Sequence, residues 1–115
     1  MKILVVDDQE DSAEVVATTL RLSGHEAATE YEAAAAAERA KLFDLVILDL
    51  MMPGMNGFTA AERMRRNGFK GKILLVTGRN DDPHVRVSAR LAGVDEVMFK
   101  PFDADELAER VGALG

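Results

Sequence analysis

The chain contains no cysteine, which excludes disulfides, thiolate catalysis and zinc sites built on cysteine. A reducing, cytoplasmic setting is the expectation from that absence. Long apolar runs are missing too. The stretch Met1-Lys2-Ile3-Leu4-Val5-Val6 stops at two aspartates, too soon for a signal peptide or a membrane span, so no membrane association is expected. Positive charge is in short supply. Fourteen Lys and Arg against twenty Asp and Glu give a net charge of −6, which disfavours non-specific attraction to nucleic acid or anionic lipid. Direct nucleic-acid binding is therefore not expected. Histidine is limited to His25 and His84, read as surface residues in a loop and at a helix start. What remains is ordinary for a globular protein: 48% hydrophobic and 30% charged residues over 115 residues, the size of one domain spanning 1–115.

Short β-type runs alternate with helical stretches from end to end, the pattern of a parallel sheet covered by helices on both faces. Strands are predicted over Lys2–Val6, Glu26–Glu30, Leu45–Leu48, Lys72–Val76 and Glu96–Phe99. The first, third and fourth of these carry continuous apolar runs, as strands buried on both faces should. Ala27-Ala28-Thr29 is weaker and suits an edge. In the gaps, Asp11 with Glu14 reads as a capping box ahead of an apolar stripe that Gly24 ends. The alanine-rich run Tyr31–Lys41 reads as a helix, and Phe58, Ala61 and Met64 mark a third, stopped near Asn67-Gly68. Asp82 with Pro83 is expected to open a fourth helix, facing Val85, Ser88, Ala89 and Ala92 inward. Asp103 with Glu106 caps the last, whose buried side is Ala104, Leu107, Ala108, Val111 and Leu114.

In open parallel sheets ligands gather outside the carboxyl ends of the strands. There the sequence places Asp7 and Asp8 after the first strand, Asp49 after the third, Thr77 at the end of the fourth and Lys100-Pro101 after the fifth. Each alone has a plain reading: turn acids, a β-branched strand residue, a solvated lysine. Together they do not, because three close carboxylates repel one another and need a compensating cation. Mg²⁺ suits such an oxygen-rich site, with Asp8 and Asp49 as direct ligands, whereas zinc or copper finds no histidine or cysteine cluster. An ionised aspartate can attack phosphorus and form an acyl phosphate. Lys100 would then supply positive charge to the phosphoryl oxygens and Thr77 a hydroxyl hydrogen bond. Gly78 leaves little bulk over the site.

Four separated segments, Ile3-Leu4-Val5-Val6-Asp7-Asp8, Leu48-Asp49-Leu50-Met51-Met52-Pro53-Gly54-Met55-Asn56-Gly57, Val76-Thr77-Gly78 and Phe99-Lys100-Pro101-Phe102, resemble the receiver domain of two-component response regulators, of the chemotaxis-regulator-like kind. The resemblance spans essentially the whole chain. It implies a doubly wound, flavodoxin-like (βα)₅ three-layer α/β fold with a five-stranded parallel sheet in the order 2-1-3-4-5. It also implies a phosphohistidine donor on a sensor histidine kinase or histidine phosphotransfer protein, with small acyl phosphates as substitutes, and a downstream protein partner or output domain. By position, Asp49 is the phosphoacceptor, Asp7 and Asp8 the acidic pair that holds Mg²⁺ with Asp49, and the backbone carbonyl of Met51 a further metal ligand. Thr77 is the switch hydroxyl, Lys100 the phosphoryl-contacting lysine, and Lys100-Pro101 resembles the family's cis peptide. Such a domain is a phosphoacceptor switch that promotes its own phosphorylation and dephosphorylation, not an enzyme with a separate substrate.

Two positions depart from the family pattern. Val97 stands three residues before Lys100, where the family usually has a Tyr or Phe that turns inward on activation, and Asn56 replaces the usual aspartate of the turn. Three rival functions are weaker. A non-catalytic interaction module would not need the intact Asp8, Asp49, Thr77 and Lys100 set. A flavin carrier needs a small, neutral phosphate loop, and Asp7-Asp8-Gln9-Glu10 would repel the phosphate. An aspartyl phosphatase of the common type has an acid two residues after the nucleophile, where this chain has Met51. These 115 residues hold no DNA-binding or enzymatic output domain, so the chain either acts by docking to partners or is a piece of a longer protein.

Overall fold

The computed structural model of the protein describes residues 1–79 and 82–115. The alternating signals become β1 (Lys2–Val6), α1 (Glu10–Leu22), β2 (Glu26–Glu30), α2 (Ala33–Arg39), β3 (Leu45–Asp49), α3 (Gly57–Arg66), β4 (Lys72–Thr77), α4 (Val85–Ala92), β5 (Glu96–Phe99) and α5 (Ala104–Leu114). All four strand pairings are parallel, in the order β2-β1-β3-β4-β5. This is the expected (βα)₅ topology.

Side chains on a strand point alternately to its two faces, and here the two faces make two cores. Ile3, Val5, Leu45, Ile47, Leu74, Val76 and Met98 pack with α1 and α5 through Ala13, Ala17, Leu20, Leu107 and Val111. Their neighbours Leu4, Val6, Val46, Leu48, Ile73, Leu75 and Val97 pack with α2, α3 and α4. Strands buried on both sides cannot alternate polar with apolar, which is why β1, β3 and β4 read as unbroken hydrophobic runs. The chain leaves β1 toward the α1 face and β3 toward the α3 face. The crevice between these two strand ends is the place where an open sheet of this kind binds ligands.

Three helix boundaries differ from the sequence reading. The Asp11–Glu14 capping box does not form, because α1 already begins at Glu10 with Gln9 as its N-cap and no side-chain cap bond. The upstream Asp7 carboxylate instead accepts the Gln9 N–H at 3.0 Å. In place of a helix opened by Asp82-Pro83 there is a turn, in which Asp82 Oδ1 accepts the His84 N–H at 2.9 Å and α4 starts only at Val85. The alanine run is helical over Ala33–Arg39, after which it tightens to a 3₁₀ turn at Ala40–Leu42. Other signals hold. Asp103 accepts the Glu106 N–H at 2.8 Å, although Ala104 is exposed and only Leu107 and Val111 of α5 are fully buried. Gly93, at φ +92°, ends α4 in the left-handed region that favours glycine. Among the described residues no helix is long and apolar enough to cross a membrane.

Candidate functional site

Asp49 is the last residue of β3 and Thr77 the last of β4, while Asp7 and Lys100 follow directly on β1 and β5. The carboxyl end of the sheet thus collects the predicted residues. Asp7, Asp8 and Asp49 each offer an oxygen within 4.8 Å of the other two, and Lys100 Nζ lies 3.2 Å from Asp49 Oδ2. The Asp49 side chain is only 12% exposed. Its other oxygen accepts the Met51 N–H at 3.2 Å, which orients the carboxylate from the loop that follows it. The Lys100-Pro101 peptide is cis, as the resemblance implied.

Thr77 is buried, and its Oγ1 accepts the Arg79 N–H at 3.1 Å. Among the described residues no hydrogen bond joins it to Asp49. Asp49 pairs in register with Val76, so Thr77 stands one residue farther along the neighbouring strand. Neither histidine joins the cluster: His25 Nδ1 lies 3.2 Å from the Met1 amino group, and His84 sits at the start of α4.

Two local features hold the Asp49 loop in place, and only the first has a sequence signal. Asn56, which departs from the family's usual aspartate in this turn, caps α3 by accepting the Thr59 N–H at 3.0 Å, a role that Asn and Asp fill equally well. Gly57 was not singled out from sequence. A Cβ there would meet the Asp49 carbonyl oxygen at 2.8 Å and Leu50 Cα at 2.9 Å, so only glycine lets α3 approach the end of β3 this closely. Its N–H donates to the Leu50 carbonyl at 2.8 Å.

Burial pushes the Asp7 carboxyl above its usual value, and the Asp49 and Asp8 charges add to the shift, while the Gln9 N–H and Lys100 oppose it. A buried acid in an acidic cluster is costly to ionise. An oxygen-only donor set holding more negative charge than Lys100 can neutralise fits a hard divalent cation such as Mg²⁺. A raised folded pKa has a definite sign for stability: Asp7 favours the fold below the usual carboxylate range, and this contribution is lost as pH rises through its folded value. Asp7→Asn should therefore raise the melting temperature of the metal-free protein at neutral pH, with the gain shrinking in acid. Thermal denaturation in a chelator across pH checks this; a variant that melts below wild type at neutral pH contradicts it.

A cleft of about 490 Å³ opens beside the Asp49–Lys100 pair and runs between α1 and the loop that follows β5. Val15, Val16, Ile47 and Phe102 form much of its apolar wall. Asp49 therefore borders an open cleft whose far wall is largely apolar.

The family model described as response regulator receiver domain matches residues 3–112. The transcriptional regulatory protein TcrA of Mycobacterium tuberculosis is 34% identical over 116 residues, covering 99% of this chain and 46% of its own length. Response regulator ArlR of Staphylococcus saprophyticus is 31% identical over 115 residues, covering 98% and 51% respectively. The chain thus spans about half the length of these curated relatives. Among solved structures, the chemotaxis protein CheY4 of Vibrio cholerae superposes with a TM-score of 0.92 at 27% identity, over 99% of this chain and 98% of its own.

Proposed function

This chain belongs to the response regulator receiver domain family, and from that premise we propose that it is a phosphorylation switch whose phosphoacceptor is Asp49 and whose cofactor is Mg²⁺. One observation carries the reading: a nearly buried Asp49 carboxylate, 3.2 Å from a lysine ammonium, shares an acidic cluster with Asp7 and Asp8. An Asp49 oxygen forms the new bond to phosphorus as the bond from phosphorus to the leaving group breaks. The released electron pair goes to the imidazole nitrogen of a phosphohistidine, or to the carboxylate oxygen of a small acyl phosphate. Hydrolysis later returns inorganic phosphate and the free carboxylate.

Phosphoryl transfer asks mainly for alignment and charge neutralisation. The Met51 N–H fixes one Asp49 oxygen, leaving the other facing Lys100, whose ammonium moves from the carboxylate to the phosphoryl oxygens once these arrive. Asp7, Asp8, Asp49 and the Met51 carbonyl would hold the metal, which when bound supplies positive charge to the carboxylates and the entering group. Thr77 would turn its hydroxyl from the Arg79 N–H toward the phosphoryl group and draw the following loop with it. The partners are a sensor histidine kinase or histidine phosphotransfer protein upstream, and a downstream protein or output domain that reads the altered surface. The setting is the cytoplasm, and the chemistry serves the protein's own modification.

The test is intact mass after incubation with acetyl phosphate and Mg²⁺. Wild type should gain one labile phosphoryl group, and chelator or Asp8→Ala should abolish the gain. Undiminished labelling in chelator would refute the metal requirement, and no labelling under any condition would refute the switch.

A further inference from the structure

Position 97 leaves a gap in the route from the phosphorylation site to the surface. Val97 is buried, short and stiff at χ1. Two residues on along the same face of β5, however, stands Phe99. It pairs in parallel register with Thr77, and the faces match: Leu75 and Val97, two residues before each, both lie in the core beneath α4. Thr77 and Phe99 are therefore side by side on adjacent strands. The Thr77 side chain is fully buried, whereas Phe99 is only partly buried.

What covers the ring comes from α4. The Arg86 guanidinium lies 5.0 Å from the Phe99 ring centroid, within reach of a cation–π interaction. Arg86 also pairs with Glu96 at 3.7 Å, and Glu96 pairs with Arg110 of α5 at the same distance. Arg110 in turn donates to the Val97 carbonyl at 3.2 Å. A hollow of about 140 Å³ bounded by Arg86, Ala89, Val94 and Val97 lies between α4 and β5, giving this corner room to rearrange.

We propose that the Phe99 ring, placed between Thr77 of β4 and the Arg86 guanidinium of α4, carries the state of the phosphorylation site to the α4 surface, the task for which position 97 has no aromatic. This rests on the reading of Asp49 as phosphoacceptor and Thr77 as the hydroxyl that follows it. When Thr77 turns toward the phosphoryl group it vacates space beside Phe99. The ring settles inward, and Arg86 loses its stacking partner while Glu96 keeps Arg110. Phosphorylation then biases an equilibrium between a stacked and a released Arg86, because the two states differ in contacts that Thr77 controls.

The experiment follows wild type, Phe99→Leu, Phe99→Tyr, Arg86→Gln and Val97→Ala by NMR before and after acetyl phosphate with Mg²⁺, with intact mass measured on each sample. All should be labelled to the same extent. In wild type the ring-current shift on the Arg86 side chain should disappear on phosphorylation, and the amides of residues 85–92 should move. Phe99→Leu and Arg86→Gln should lose most of that amide response, while Phe99→Tyr and Val97→Ala keep it. The tyrosine rescue separates a transmitting ring from mere filling of space, and exposed Arg86→Gln reads the same route should the leucine variant fail to fold. Labelled Phe99→Leu or Arg86→Gln with a wild-type response would overturn the relay alone. An unlabelled wild type would overturn the reading of Asp49 and the relay with it.

Discussion

Arg65→Ala should cost about 3 kcal/mol of folding stability and lower the melting temperature by roughly 10–15 °C. Its guanidinium, at the end of α3, donates to the carbonyls of Gly93 at 2.9 Å, Phe69 at 2.9 Å and Gly71 at 2.7 Å. A fourth bond reaches Asp95 Oδ2 at 2.8 Å, and that oxygen also accepts the Ile73 N–H at 2.8 Å. One side chain thus ties α3, the entry to β4 and the α4–β5 turn together at the amino end of the sheet. Hydrogen bonds to a charged group contribute about 1.5–3 kcal/mol each, but Arg65 is 27% and Asp95 30% exposed, so water compensates part of the loss. Arg65→Lys should recover little, because an ammonium cannot reproduce the planar fork. Denaturant or thermal unfolding measures the effect, and a loss under 1 kcal/mol would contradict it. Because the knot lies at the end opposite Asp49, the folded variant should still take up the phosphoryl group.

Strands, helices and site residues were legible in the sequence to different degrees. Buried parallel strands advertise themselves: Ile3 to Val6, Leu45 to Leu48 and Ile73 to Val76 are apolar throughout because both faces are covered. The candidate site residues were legible as a group because each stands at the end of a strand or just after it, so the sheet itself delivers them to one edge. Their order across the sheet came from the resemblance, since the alternation of elements alone does not specify which strands are neighbours.

Helix starts were less legible, because several nearby side chains compete for the same free N–H groups. Asp7 engages Gln9, so α1 begins before Asp11 can cap it. At Asp82 the carboxylate closes a turn on His84, which delays α4 to Val85. The Arg65 knot was not legible, since two of its partners, Gly93 and Asp95, lie far along the chain, and the nearer two, Phe69 and Gly71, offer only backbone carbonyls that leave no residue pattern. Gly57 and the Phe99–Arg86 stack are of the same kind: one needs the approach of α3 to β3, the other the register of β4 with β5.

Asp49→Asn should abolish labelling altogether, the largest effect expected of any single change. The amide keeps the shape of the carboxylate but lacks the carboxylate oxygen that the proposed attack on phosphorus uses, and it gives Lys100 no charge to pair with at 3.2 Å. Asp7 and Asp8 are not expected to replace it, because the lysine ammonium pairs at close range with Asp49 and with neither of them among the described residues. The most direct measurement is to treat wild type and Asp49→Asn with acetyl phosphate and Mg²⁺ and to map the modified residue. A single labile phosphoryl group on Asp49, absent from the variant, is the predicted result; equal labelling of both proteins, or a principal site elsewhere in wild type, would contradict the account.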